Sequence, residues 1–299
     1  MIKRPALRPH TALGETLSAI AREILNEAKL GIEDPANDTA VAVHEFRKSN
    51  KRWRAYLRLL SDHFGEGAKS LRAAAGDTAR PLGGARDLRS TIDALADIRA
   101  VAIDLTERSY ATILEKIQAM QAQAEASSIN SGQRRAIGLT VEKWAATVSL
   151  WDFGGIEFAD LASSLTKGYR RAKREIPDDW DEATIDELHR FRRRVIDHRY
   201  QMELIEPLWP KMGKLWVEEA QRLRDALGRH RDLENLRLLA APHQPLARFR
   251  SKLEPAINLR KQAHLKDAAK IASRVFAEKP KSFQARLESL WKARSKHTA

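Results

Sequence analysis

Apolar residues recur at steps of three and four along most of the chain, the spacing of amphipathic helices, and no run alternates as a half-buried strand does. Proline and glycine interrupt this pattern near Asp34-Pro35, Gly65 to Gly67, Pro81 to Gly84, Asn130 to Gly132, Gly154-Gly155, Pro177, Pro207 to Pro210, Pro242 to Pro245 and Pro280. The stretches between these breaks have helical lengths. The expected fold class is all-α.

The pattern also repeats. Residues 43 to 60, VHEFRKSNKRWRAYLRLL, align with residues 188 to 205, LHRFRRRVIDHRYQMELI, matching at His44/His189, Phe46/Phe191, Arg47/Arg192, Arg54/Arg199 and Leu59/Leu204. Further on, LGGARDL (82 to 88) aligns with LGRHRDL (227 to 233). The differences 189 − 44 and 232 − 87 are both 145, so two separate blocks share one ungapped offset. The chain is read as two related helical-bundle halves, 1–152 and 153–299, joined around Trp151 to Ile156. Such halves are expected to pack about a pseudo-twofold axis, with equivalent residues of both copies around a shared central surface.

At 100° per residue, Arg47, Lys48, Lys51, Arg54 and Arg58 fall with His44 in an arc of about 120°. Phe46, Trp53, Leu57 and Leu60 take the opposite side and are candidates for the core. In the second copy His189, Arg192, Arg193 and Arg199 hold the same angles, but Ile196 and Glu203 interrupt the stripe. The first copy has no carboxylate in its basic arc, so it lacks the i, i+4 partners that neutralise an ordinary solvated helix face. Like charges at this density repel, which points to a polyanion as the group they receive.

Composition strengthens that reading and removes others. The 299 residues hold 53 Lys plus Arg against 40 Asp plus Glu, a net charge of +13, and no cysteine. Disulfides, thiol nucleophiles and cysteine-based metal sites are excluded, and a reducing cytoplasmic setting is expected. No stretch has the length and apolarity of a membrane span, and the basic tip before the first helix lacks the apolar core of a signal peptide. Further cations extend the basic character: Arg170 in GYRRAKRE (168 to 175), and Arg260 within a final segment, 243 to 299, that carries 14 Lys plus Arg against 4 acids.

Other motifs are weaker. His230-Arg231-Asp232-Leu233 has the first letters of a kinase catalytic loop, but Arg237 stands where the metal-binding Asn belongs. The Gly-x-x-Arg-Asp blocks are expected to be structural. Gly83 and Gly228 would permit a turn between helices, Asp87 and Asp232 would sit in a first helical turn, and Arg86 and Arg231 would be near enough to touch an anion. None of the nine histidines forms an H-x-x-x-H or H-E-x-x-H pair, and Arg47 and Arg192, one turn from His44 and His189, would repel a metal cation. No metal, cofactor or catalytic constellation is expected, and the chain is read as a binding protein rather than an enzyme.

The order of H-x-x-R-x-x-x-K-x-x-R at His44, Arg47, Lys51 and Arg54, the partial copy from His189, the paired LG-x-x-RDL blocks, GYRRAKR and RVFAEKPKSFQARLESLW (274 to 291) resembles the CHAD family, the conserved-histidine α-helical domain. The resemblance implies a duplicated helical bundle that binds inorganic polyphosphate through a basic central surface and associates with polyphosphate granules. It further implies phosphate contacts from His44, Arg47, Lys51, Arg54, His189, Arg192, Arg193 and Arg199; Lys48, Arg58, Arg170 and Arg260 join the candidate set through their position among the cations. The second copy departs from the family pattern at Ile196 and His198. Two rival readings stand beside this one. A nucleic-acid backbone would suit the same charge, though the motif's aromatics fall on its core side. A metal-dependent phosphohydrolase would need clustered acids.

Overall fold

The computed structural model describes residues 5–8, 10–126 and 129–295, without the side chains of Ala85, Arg86, Ala126, Arg294 and Ser295. Met1 to Arg4 of the basic tip, and the side chain of Arg86, therefore lie outside the described residues. The described residues form eleven α-helices and no strand: α1 (Leu13–Glu33), α2 (Thr39–Leu59), α3 (Ser61–Ala79), α4 (Gly84–Ile98), α5 (Glu107–Ala126), α6 (Ser131–Ser149), α7 (Phe158–Arg174), α8 (Ile185–Ile205), α9 (Pro210–Leu239), α10 (Arg250–Val275) and α11 (Pro280–Ser295). The all-α reading holds.

Local chemistry accounts for most helix starts. Asp38 caps α2 by accepting the Val41 N–H at 2.8 Å. Reciprocal capping boxes open α6 (Asn130/Gln133) and α8 (Thr184/Glu187). Gly65 has φ 51°, a left-handed conformation that kinks α3 and suits a residue without a Cβ. Two breaks had no Gly or Pro to announce them: α2 gives way to α3 at Leu60, and α4 ends at Ile98, with Thr106 opening α5 by accepting the Ser109 N–H at 3.2 Å.

Helices at matching positions make matching contacts. α1 packs on α2 and α6 as α7 packs on α8 and α11; α2 meets α3 as α8 meets α9; α4 meets α5 as α9 meets α10. The two repeated helices, α2 and α8, pack on each other. The first half spends two helices, α3 and α4, where the second runs a single 30-residue α9. This corrects the expectation for the second RDL block: Gly228 and Asp232 lie inside α9, whereas Gly83 and Asp87 do open α4.

The core confirms the apolar side of the first motif. Phe46, Trp53 and Leu57 are 0% exposed and Leu60 is 2% exposed, within a large core fed by both halves. A second core joins α4 and α5 to the end of α9 and the start of α10. α2 is enclosed on more than one side, which is why polar groups on it are also buried: Asn50 donates to the Ala75 carbonyl at 2.8 Å, and Tyr56 to that of Leu17 at 2.6 Å.

Candidate functional site

The contact between α2 and α8 orders the basic residues. Arg58 on α2 meets Asp197 on α8 at 2.7 Å, and Arg52 meets Glu203 at 3.6 Å. Higher numbers on one helix face lower numbers on the other, so the two run in opposite senses, with Ala55 and Tyr200 at the midpoint of these pairs. His44 and His189 each precede that midpoint by 11 residues, about 16 Å of helix at 1.5 Å per residue, in opposite directions. The expectation that equivalent residues share one central surface is therefore corrected: the two histidines sit toward opposite ends. His44 is exposed and, with Arg47 and Arg89, lines a cavity of about 490 Å³ between α2, α4 and α5.

What converges instead is the C-terminal half of the first motif and the N-terminal half of the second. Arg54 lies within electrostatic reach of Arg72 on α3 and Arg193 on α8; Arg58 lies within reach of Arg72, Arg194 and Arg171. Burial, and then the neighbouring arginines, lower the pKa of both Arg54 and Arg58, against the pull of Asp197. Asp197 is largely buried, and desolvation raises its pKa even though Arg58, Arg194, Arg54 and Arg72 all act to lower it. One carboxylate thus faces four guanidinium groups, with Glu175 at the edge pairing Arg190 at 3.4 Å and Arg194 at 3.8 Å. The buried Nε atoms of Arg54 and Arg72 have no hydrogen-bond partner among the described residues.

Arg193 connects this cluster to the second histidine. It is exposed and, with Arg231 and Arg192, lowers the pKa of His189 after desolvation, which is the larger cause. Arg231 Nη1 lies 3.4 Å from His189 Nδ1, and Arg192 rests beside Gly228, where an added Cβ would be 3.4 Å from Nη2. α9 therefore supplies Arg231 from mid-helix rather than from a turn.

The remaining candidates have other settings. Arg47 donates to the Ala79 carbonyl at 2.9 Å, at the end of α3, and Lys51 is half-buried. Lys48 pairs with Glu45 at 2.9 Å, a partner three residues back that the helical arc did not include. Arg199 lies on the opposite side of the α2–α8 contact, 3.6 Å from Glu203 and over the Tyr200 ring at 4.6 Å. Arg170 is exposed on α7, while its neighbour Arg171 is the one that reaches Arg58 and Asp62. Arg260 is removed from the cluster: on α10 it is held by Asp97 at 2.7 Å, alongside His264. Arg72, Arg194 and Asp197 were not singled out by the sequence, and Arg171 stood out only as one of the cations of GYRRAKRE, where Arg170 was the one taken as a candidate. Arg52/Asp197 and Arg58/Glu203 are each one offset apart with opposite charge, and that signal pointed to the pairing of the two helices.

Among the described residues, no three His, Asp or Glu side chains come together in a way that could hold a metal ion, and no helix is long and apolar enough to cross a membrane.

Fold and cluster together define a class: an all-helical bundle with an internal repeat, whose central helix pair carries arginines well in excess of carboxylates. A family model, the CHAD domain, matches residues 16–241, and the chain belongs to the CHAD domain family. The crystal structure of the CHAD domain from the plant Ricinus communis is similar over 96% of this chain and 95% of that chain, at 20% sequence identity and a TM-score of 0.57, a likeness of fold. No curated protein matches the sequence.

Proposed function

We propose that this chain binds inorganic polyphosphate, performs no chemistry on it, and associates through it with polyphosphate granules. The observation that carries this reading is the imbalance around Asp197: four arginines from α2, α3 and α8 share one buried carboxylate. Concentrating cations in a partly desolvated place is unfavourable in the free protein and becomes favourable when an anion completes the charge. Guanidinium groups suit phosphate oxygens because their N–H donors can bond in pairs. Arg54, Arg58, Arg72, Arg193 and Arg194, extended by His189, Arg192 and Arg231, offer a repetitive anion several successive contacts.

Many modest contacts along one chain give length dependence, since each added phosphate binds as an already tethered group. Long-chain polyphosphate is expected to bind much more tightly than pyrophosphate or ATP, with an affinity that falls steeply as salt rises. Calorimetric titration with the three ligands at two ionic strengths, with single-stranded RNA as competitor and with phosphate release followed in Mg²⁺ or Mn²⁺, tests each part. Equal affinity for pyrophosphate and the long chain would sink the binding model, preferential displacement by RNA would favour the nucleic-acid reading, and released phosphate would make the protein an enzyme.

A further inference from the structure

A second cavity, of about 490 Å³, lies between α7, α8, α9, the end of α10 and α11, and none of its lining belongs to the arginine cluster. Tyr169, His198, Met202, Trp216, Phe283 and Arg286 form its walls. Tyr169 stacks on Phe283 with ring centroids 4.4 Å apart, and the Arg286 guanidinium lies over Trp216 at 4.3 Å. The volume is in the range of small-molecule sites, roughly 300–1,000 Å³, and the composition, aromatic with a few fixed polar groups, is theirs as well.

Two features separate this cavity from a packing fault. The first is its polar content. His198 is 4% exposed, and its Nδ1 has no hydrogen-bond partner among the described residues. Arg286 gives Nε and Nη2 to Glu278, while its buried Nη1 has no partner among the described residues. Burying such groups unpaired is costly, and a polar ligand in the cavity would supply the partners. The second is the comparison within the chain. The residue 145 positions before His198 is Trp53, which is 0% exposed and stacks on Tyr56 at 5.8 Å. The first half closes this position with an indole; the second holds a smaller imidazole and leaves open space.

We propose that this cavity binds a small aromatic acid, with its apolar body against the wall that Tyr169, Phe283 and Trp216 form and its acidic group toward Arg286 and Arg274. The charge balance favours an anion. Glu278 is taken by Arg286 and Glu219 by Arg222 at 2.5 Å, which leaves the exposed Arg274, also in the lining, without an ion pair among the described residues. The site is independent of the polyphosphate reading.

The test uses the full chain and the probe 8-anilinonaphthalene-1-sulfonate, an aromatic with one acidic group, followed by its fluorescence. One saturable site is expected, undisturbed by excess polyphosphate, weakened about tenfold by Arg274→Glu and abolished by His198→Trp, which restores the indole of the first half. The uncharged analogue N-phenyl-1-naphthylamine is expected to bind the wild type and Arg274→Glu equally. Displacement of the sulfonate by polyphosphate, unchanged binding in His198→Trp, or no saturable binding would overturn the proposal. Should His198→Trp not fold, Ala277→Trp narrows the same cavity from its exposed edge, and retained binding there would be equally fatal.

Discussion

Arg58 Nε lies 2.7 Å from Asp197 Oδ2, and the 145-residue offset that relates the two halves carries this pair onto Glu203 and Arg52, which meet at 3.6 Å. Both cations are on α2 and both acids on α8. The contact between the repeated helices is therefore matched in position and complementary in charge.

The pair can be tested by exchange. Arg58→Asp places two carboxylates together in a largely buried setting, and Asp197→Arg removes the carboxylate that four guanidinium groups share. Each single change is expected to cost about 3 kcal/mol or more. The double variant Arg58→Asp/Asp197→Arg is expected to recover at least 1–2 kcal/mol relative to the sum of the singles, in a double-mutant cycle read by urea denaturation. Simple additivity would show that the 2.7 Å contact contributes no coupling.

Arg54 is held where burial, Arg72 and Arg193 all disfavour its charge. Arg54→Gln is expected to raise the melting temperature slightly, by up to roughly 1 kcal/mol of stability, while weakening long-chain polyphosphate about tenfold. Arg260→Glu should do the reverse, because it destroys the ion pair with Asp97 and leaves the cluster intact. Thermal melts and titrations on these two variants separate binding cations from structural ones.

His189 has its pKa lowered from 6.5 by burial and then by Arg231, Arg193 and Arg192. A bound polyanion opposes those cations and raises the pKa in the complex, so binding takes up a proton. Affinity for polyphosphate should then increase as pH falls from about 8 to about 6, and His189→Gln should flatten the profile. Calorimetry in buffers of different ionisation enthalpy would count the proton directly.

Two other histidines act on the fold itself. Burial lowers His198 to about 4 and, with Lys261 contributing after burial, His230 to about 4. An unfolded chain protonates both near 6.5, so it binds protons that the folded state refuses. Stability is fully present above about pH 6.5 and falls as pH drops toward 4, by roughly 3 kcal/mol for each group. Urea midpoints at pH 7 and pH 4.5 should differ markedly in the wild type, and less in His198→Phe.

The helices were readable because their apolar period is regular and most ends carry Gly, Pro or a capping side chain. The turn before Thr106 was not, since its signal is a lone hydroxyl. The basic face of α2 was readable by angle, and Phe46, Trp53 and Leu57 went to the core as that angle requires. Its neighbours were not. Arg72 and Arg171 come from other helices, and which of Arg170 and Arg171 turns toward Arg58 depends on how α7 lies against α2. Periodicity fixes a residue's place on its own helix; the antiparallel meeting of α2 and α8, which sends His44 and His189 apart, is a property of the pair.

The distribution of charge on α2 and α8 also governs which chains can associate. A half containing α2, meeting another copy of itself in the same geometry, would set Arg58 against Arg52; a half containing α8 would set Asp197 against Glu203. Only the unlike combination is electrostatically compatible. Produced as separate polypeptides, the halves should refuse to homodimerise and should assemble with each other.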